Sequence, residues 1–127
     1  MKTEEIKRIE KFTDLKVWQA SRVLVLAVYK AVQNFPQDEL FGITSQMKRA
    51  VVSVSSNIAE GFSRGSMKDK LHFYVMAHGS LTELQNQVIL SRDLGFMNDT
   101  DFRGFVEDAT NTEKLLVGLI KASKERI

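Results

Sequence analysis

Two side chains in this sequence can both ligate a metal ion and carry a proton near neutral pH, His72 and His78. Six residues apart on a helix, they point about 240° apart and cannot share one ion. The Glu-x-x-His spacing that builds di-iron centres in helical bundles does not occur. Cysteine is absent, which removes disulfides and thiolate metal sites and suits a reducing compartment. Gly61 and Gly65 bracket a turn, but Lys-Ser/Thr does not follow in the register of a phosphate-binding loop. No serine or threonine has a plausible general base beside it in sequence. The methionines, Met47 and Met76 among them, read as adaptable core filler. These residues predict no catalytic site, metal or cofactor, and the chain reads as a non-enzyme.

The basic side chains offer a different chemistry. Lys48, Arg49, Arg64, Lys68 and Lys70 fall close together in sequence, with Glu60 and Asp69 among them. They are the candidates for contact with a polyanion, although a solvated helix junction has the same composition. The formal net charge of the whole chain is only +2, and the stretch from Phe96 onward is slightly acidic.

A second pattern lies upstream. Gln46, Arg49, Ser53, Asn57, Glu60 and Arg64 recur at intervals of three and four, within about 80° of one another on a helix. Glu83 belongs to a similar line, Ser80, Glu83, Gln87 and Ser91, in the next helical stretch. If the two lines face each other, Arg49 pairs with Glu83 or Glu60. The remaining arc, Ser45, Lys48, Val52, Ser56 and Ala59, is small and polar, and no charge occurs between Ala50 and Ala59. An exposed bundle helix ordinarily carries charge on its outside. The arc is therefore either covered by another subunit or a serine-rich surface.

Long helices must carry these side chains. Hydrophobic residues make up 43% of 127 residues, with one proline and seven glycines, which favours uninterrupted helices and a buried core. The first helix spans about Thr13 to Asn34, with Thr13 as N-cap and Phe12 packing on Val17. Its apolar faces are Leu15, Trp18, Val25, Tyr29 and Val32, and Val17, Ala20, Leu24, Ala27, Val28 and Ala31. Pro36 ends it. The second helix runs from a cap at Asp38 to about Phe62, with Ile43, Met47, Ala50, Val51, Val54 and Ile58 inward. Ser66 with Asp69 resembles a capping box opening the third helix, and Gly95 with Phe96 suits a left-handed stop after Leu94. Asn98 or Asp99 caps the fourth, which carries Phe102, Phe105, Val106, Ala109, Leu116, Leu119 and Ile120 at helical spacing. Four helices with short links predict an all-α fold: a single up-down-up-down antiparallel four-helix bundle. The expected division is a charged lead over 1–11, the bundle over 12–123 and a tail over 124–127. The charged start is not a signal peptide, and the longest strongly apolar run, Val23 to Val28, is far short of the roughly 20 residues of a membrane span. A cytoplasmic protein with no membrane partner is expected.

Several stretches carry a family resemblance. They are Phe12 to Ala20, Phe35-Pro36 with Glu39, Gln46-Met47-Lys48-Arg49-Ala50-Val51-Val52-Ser53, Asn57-Ile58-Ala59-Glu60-Gly61, and Ala77 to Leu84. Over about Phe12 to Lys121 the chain resembles bacterial four-helix-bundle proteins encoded in intervening sequences of 23S ribosomal RNA genes. The resemblance implies a homo-oligomer, a pentameric ring of bundles, and a link to structured RNA or a ribonucleoprotein. That family is similar in fold to the accessory variability-determinant protein of diversity-generating retroelements, a basic pentamer that engages nucleic acid. The resemblance implies no activity and transfers no catalytic residue. Two functions follow as expectations: an RNA-associated oligomeric scaffold using Lys48, Arg49, Arg64, Lys68 and Lys70, or an oligomeric protein-interaction module without nucleic acid. Gln46, Arg49, Ser53, Asn57, Glu60 and Glu83 are the expected polar stripe and subunit interface.

Overall fold

The computed structural model describes residues 8–127. Four helices dominate it: α1 (Lys16–Ala31), α2 (Ser45–Ser63), α3 (Met67–Asp93) and α4 (Asp99–Glu125). Contacts between neighbours fix their directions. Lys70 bonds Phe62, Ser80 meets Ser53 and Ser91 meets Met47, so α3 runs back along α2. His78 reaches Glu113 and Arg92 stacks on Phe102, so α4 runs back along α3. Lys48 sits over Tyr29 near the foot of α1, while Leu15 and Phe62 meet at its head. Helix α4 closes on α1 through clefts that pair Ala31 with Asp101 and Leu15 with Leu119. The result is the expected antiparallel bundle.

The core is the overlap of four inward stripes. Val17, Leu24, Val28, Met47, Val51, Val54, Ile58, Tyr74, Leu81, Leu84, Val88, Phe105, Ala109 and Leu116 are buried. The inward face of α2 is as expected, with Ile43 only partly buried. Val106, expected at core spacing, is 43% exposed, because the α4 stripe passes through Phe105, Ala109, Thr112 and Leu116 instead.

The helix ends follow local chemistry, with corrections at the first two. Thr13 is not a cap. It lies in a 3-10 turn, Phe12–Asp14, held by the Asp14 carboxylate, which accepts from the Glu10 and Lys11 amides. Phe12 packs edge-on against Trp18, 5.3 Å between ring centres. Asp38 is not the cap of α2 either. Residues Gln37–Glu39 form a 3-10 turn and Leu40–Thr44 a wider π-type turn, with non-helical backbone at Gly42, so regular α2 begins at Ser45. The later ends are as expected. The Ser66 hydroxyl accepts from the Asp69 amide, and Asn98 accepts from the Asp101 amide at 2.8 Å. At the end of α3, Gly95 has φ 81°, and the Gly95 and Phe96 amides donate to Arg92 and Ser91 carbonyls. That is a Schellman stop, with Phe96 carried onto Phe35. Helix α4 includes residues 124 and 125 of the expected tail. Of the expected lead, residues 8–11 are non-helical and residues 1–7 lie outside the described part.

Candidate nucleic-acid interface

The five basic candidates do not form one cluster. Lys48 and Arg49 precede Arg64 by 15 or more residues along α2, about 23 Å of helix rise. Arg64, Lys68 and Lys70 lie at the α2–α3 turn. Because α4 runs antiparallel to α3, its last turns bring Lys121, Lys124 and Arg126 to the same end of the bundle, and Lys11 arrives there from the chain start. All but Lys70 among these are exposed. Sequence proximity missed the three α4 cations. The up-down topology, itself readable in sequence, was the signal that places them.

Each cation at this end is held differently. Lys70 donates to the Phe62 carbonyl, satisfying the free end of α2, and lies over the Phe62 ring at 5.2 Å. That makes it chiefly a helix-end clamp. Arg64 stacks on Phe73 at 4.4 Å and forms an exposed pair with Glu60 at 3.6 Å. Lys68, Lys121 and Lys124 make no ion pair within the described residues. Five carboxylates, Glu10, Asp14, Glu60, Asp69 and Glu125, share this end. At the far end Asp38, Glu39, Asp93, Asp99 and Asp101 are balanced by Lys30, Lys48, Arg49, Arg92 and Arg103. The 27-residue helices are about 40 Å long. Physiological salt screens charge over about 8 Å. The two ends are therefore electrically separate, and the net charge of +2 understates the positive one.

The polar stripe is the seam between α2 and α3. Ser53 and Ser80 hydroxyls lie 2.8 Å apart, and the Asn57 amide donates to both the Ser53 hydroxyl and carbonyl. These half-buried residues satisfy one another across the seam. The charged members stand outside it. Gln46, Arg49, Ala50, Ser53 and Glu83 line an open polar cleft of 440 Å³. Arg49 pairs with neither expected partner: Glu60 meets Arg64, and Glu83 accepts from Gln87 at 3.4 Å. Arg49, Glu60 and Glu83 are exposed in the single chain, so the expected buried charge pair is not present.

The histidines fall apart as their spacing requires. His78 meets Glu113 of α4 at 3.3 Å, and His72 lies edge-on to Phe73 on the surface. Among the described residues no three acidic, histidine or cysteine side chains converge on a metal position. Among the described residues no helix is long and apolar enough to cross a membrane.

The model of the 23S rRNA-intervening sequence protein family matches residues 13–118. The chain belongs to that family. A solved structure has the same fold: a protein of unknown function from the S23 ribosomal protein family of Bacteroides thetaiotaomicron. The two chains are 20% identical with a TM-score of 0.76, over 83% of this chain and 95% of that one. No curated protein is significantly similar in sequence. Nothing in the family match or in the site geometry points to catalysis.

Proposed function

We propose that this family member is a non-catalytic homo-oligomeric scaffold that holds structured RNA or a ribonucleoprotein by the basic end of its bundle. The observation that supports this is the gathering of Lys11, Arg64, Lys68, Lys121, Lys124 and Arg126 at one end of a bundle whose other end balances its charges. Free ammonium groups at that end suit phosphate contacts, which are strong in sum and carry no sequence information. Assembly multiplies a weak contact through effective concentration. A ring with parallel axes sets every positive end on one face.

Exposed apolar side chains support assembly. Phe41 is 91% exposed, Leu26 62% and Leu94 61%. A second copy of the chain could bury such groups, although singly placed ones are ordinary on a protein surface. They equally suit the second reading, an interaction module that binds protein and no nucleic acid. A titration with structured ribosomal RNA at low and physiological salt separates the two. The scaffold reading expects affinity that falls steeply with salt and falls again in Lys68→Glu/Lys121→Glu. No binding at low salt, or an affinity indifferent to that charge reversal, overturns it in favour of the module.

A further inference from the structure

Lys48 and Arg49, separated from the basic end, border a groove of their own. It runs between the foot of α1 and the turn that enters α2. One part, of 320 Å³, is lined by Tyr29, Gln33, Gln37, Thr44 and Lys48 among others. It continues through Tyr29 and Lys48 to Arg49 and Val52. This volume lies at the lower end of the range of small-ligand sites, about 300–1,000 Å³.

The lining is unusual in how little of it is used by the protein. Tyr29 stays 42% exposed although the Lys48 ammonium lies 5.1 Å from its ring centre. Lys48 and Arg49 make no ion pair among the described residues. The Gln33 and Gln37 amides have no hydrogen bond there either. Thr44 is only 4% exposed, and its hydroxyl has no partner within the described residues. Buried polar groups are nearly always satisfied, so this hydroxyl marks a place where a contact is missing.

We infer that this groove takes a single unpaired nucleotide. The base stacks on Tyr29, and its polar edge meets the Gln33 and Gln37 amides beside Thr44. The phosphate lies toward Lys48 and Arg49. An aromatic ring, free amides and neighbouring cations are the set by which proteins hold splayed-out bases. Asp38 and Glu39 lie beyond Gln37 and disfavour phosphate on that side, so the strand approaches from Arg49. The inference deepens the RNA reading and rests on it for the source of the nucleotide. It also supplies a preference that the basic end lacks, for single strands over duplex.

The test uses the full chain with a labelled short single-stranded RNA, the same strand in duplex, and adenosine 5′-monophosphate followed by amide resonances. Single-strand binding should exceed duplex binding. Tyr29→Leu should weaken the single strand about 5- to 100-fold, the loss that follows removal of a stacking ring, and leave the duplex unchanged. The mononucleotide should shift resonances of Gln33, Gln37, Thr44 and Lys48. Nucleotide binding without any RNA binding would keep the site and sink the RNA scaffold. If Lys68→Glu weakens RNA while Tyr29→Leu and Gln33→Ala do not, the scaffold stands and the site falls. An absence of shifts at millimolar nucleotide overturns the site. So does a change in oligomer mass on Tyr29→Leu, which would make the groove a contact for another chain.

Discussion

Replacing Gly61 by alanine tests the packing of the bundle most sharply. Gly61 is a buried residue in the last turns of α2, packed against Phe73 and Tyr74 of α3. A Cβ built there would lie 2.6 Å and 2.9 Å from two carbons of the Tyr74 ring and 3.0 Å from the Phe73 Cβ. Ordinary carbon contacts are about 3.5–4.0 Å, so the helices must part by about 1 Å. Neither neighbour yields easily: Tyr74 is 2% exposed, and the Phe73 Cβ is fixed to the backbone. Overpacking of this kind costs about 1–3 kcal/mol. Alanine returns about 1 kcal/mol in helix propensity. With two rigid neighbours the upper part of the range applies, leaving a net loss of about 1–2 kcal/mol. In a chain of this length 1 kcal/mol is about 4 °C, so the melting temperature should drop by about 4–8 °C. The control is Gly79→Ala in α3, where an added Cβ meets nothing within 4 Å. It should gain about 0.5–1 kcal/mol and melt a few degrees higher. Thermal unfolding by circular dichroism at matched concentration measures both. If Gly61→Ala melts at or above the Gly79→Ala variant, the close crossing of α2 and α3 is not what requires glycine.

Three further outcomes follow. Burial raises the Tyr74 phenol above its ordinary value of 10.0, because the phenolate is poorly solvated there. The unfolded chain therefore loses this proton first. The stability linked to it is fully present below about pH 10 and is lost as pH rises through the higher folded value, and Tyr74→Phe should flatten that loss in denaturant titrations between neutral and strongly alkaline pH. Arg49→Ala and Glu60→Ala remove exposed groups without a buried partner, so each should change single-chain stability by no more than about 0.5 kcal/mol. A large drop that tracks with dissociation would instead place them in a subunit contact. Light scattering behind a sizing column should report several chains, and Phe41→Ser should shift the mass downward if that 91% exposed ring is at the interface; a concentration-independent 14.4 kDa particle for the parent would sink the oligomer.

The helices, their order and most of the core could be read from spacing alone. The α2 stripe of Met47, Val51, Val54 and Ile58 repeats with the helical period, and period decides which face can be removed from water. These helix ends were legible because they rest on one or two residues: Ser66 and Asn98 start helices through their own side chains, and Gly95 stops one through its lack of a side chain. Tertiary structure decided what depends on neighbours distant in sequence. Propensity at Thr13 and Asp38 favoured caps, but the Asp14 carboxylate holds a 3-10 turn before α1, and the α1–α2 corner had to carry the chain across, with Gly42 bending it there. The polar stripe was visible as a row, but whether Arg49 met Glu83 depended on the rotation of α2 against α3, which the Ser53–Ser80 contact and the crossing at Gly61 set. Charge proximity failed for the same reason. A helix carries neighbours in sequence 1.5 Å apart along its axis and returns strangers to its side only through its partners. Lys48 therefore parted from Arg64, and Lys121, 57 residues further on, came to the same end of the bundle as Arg64.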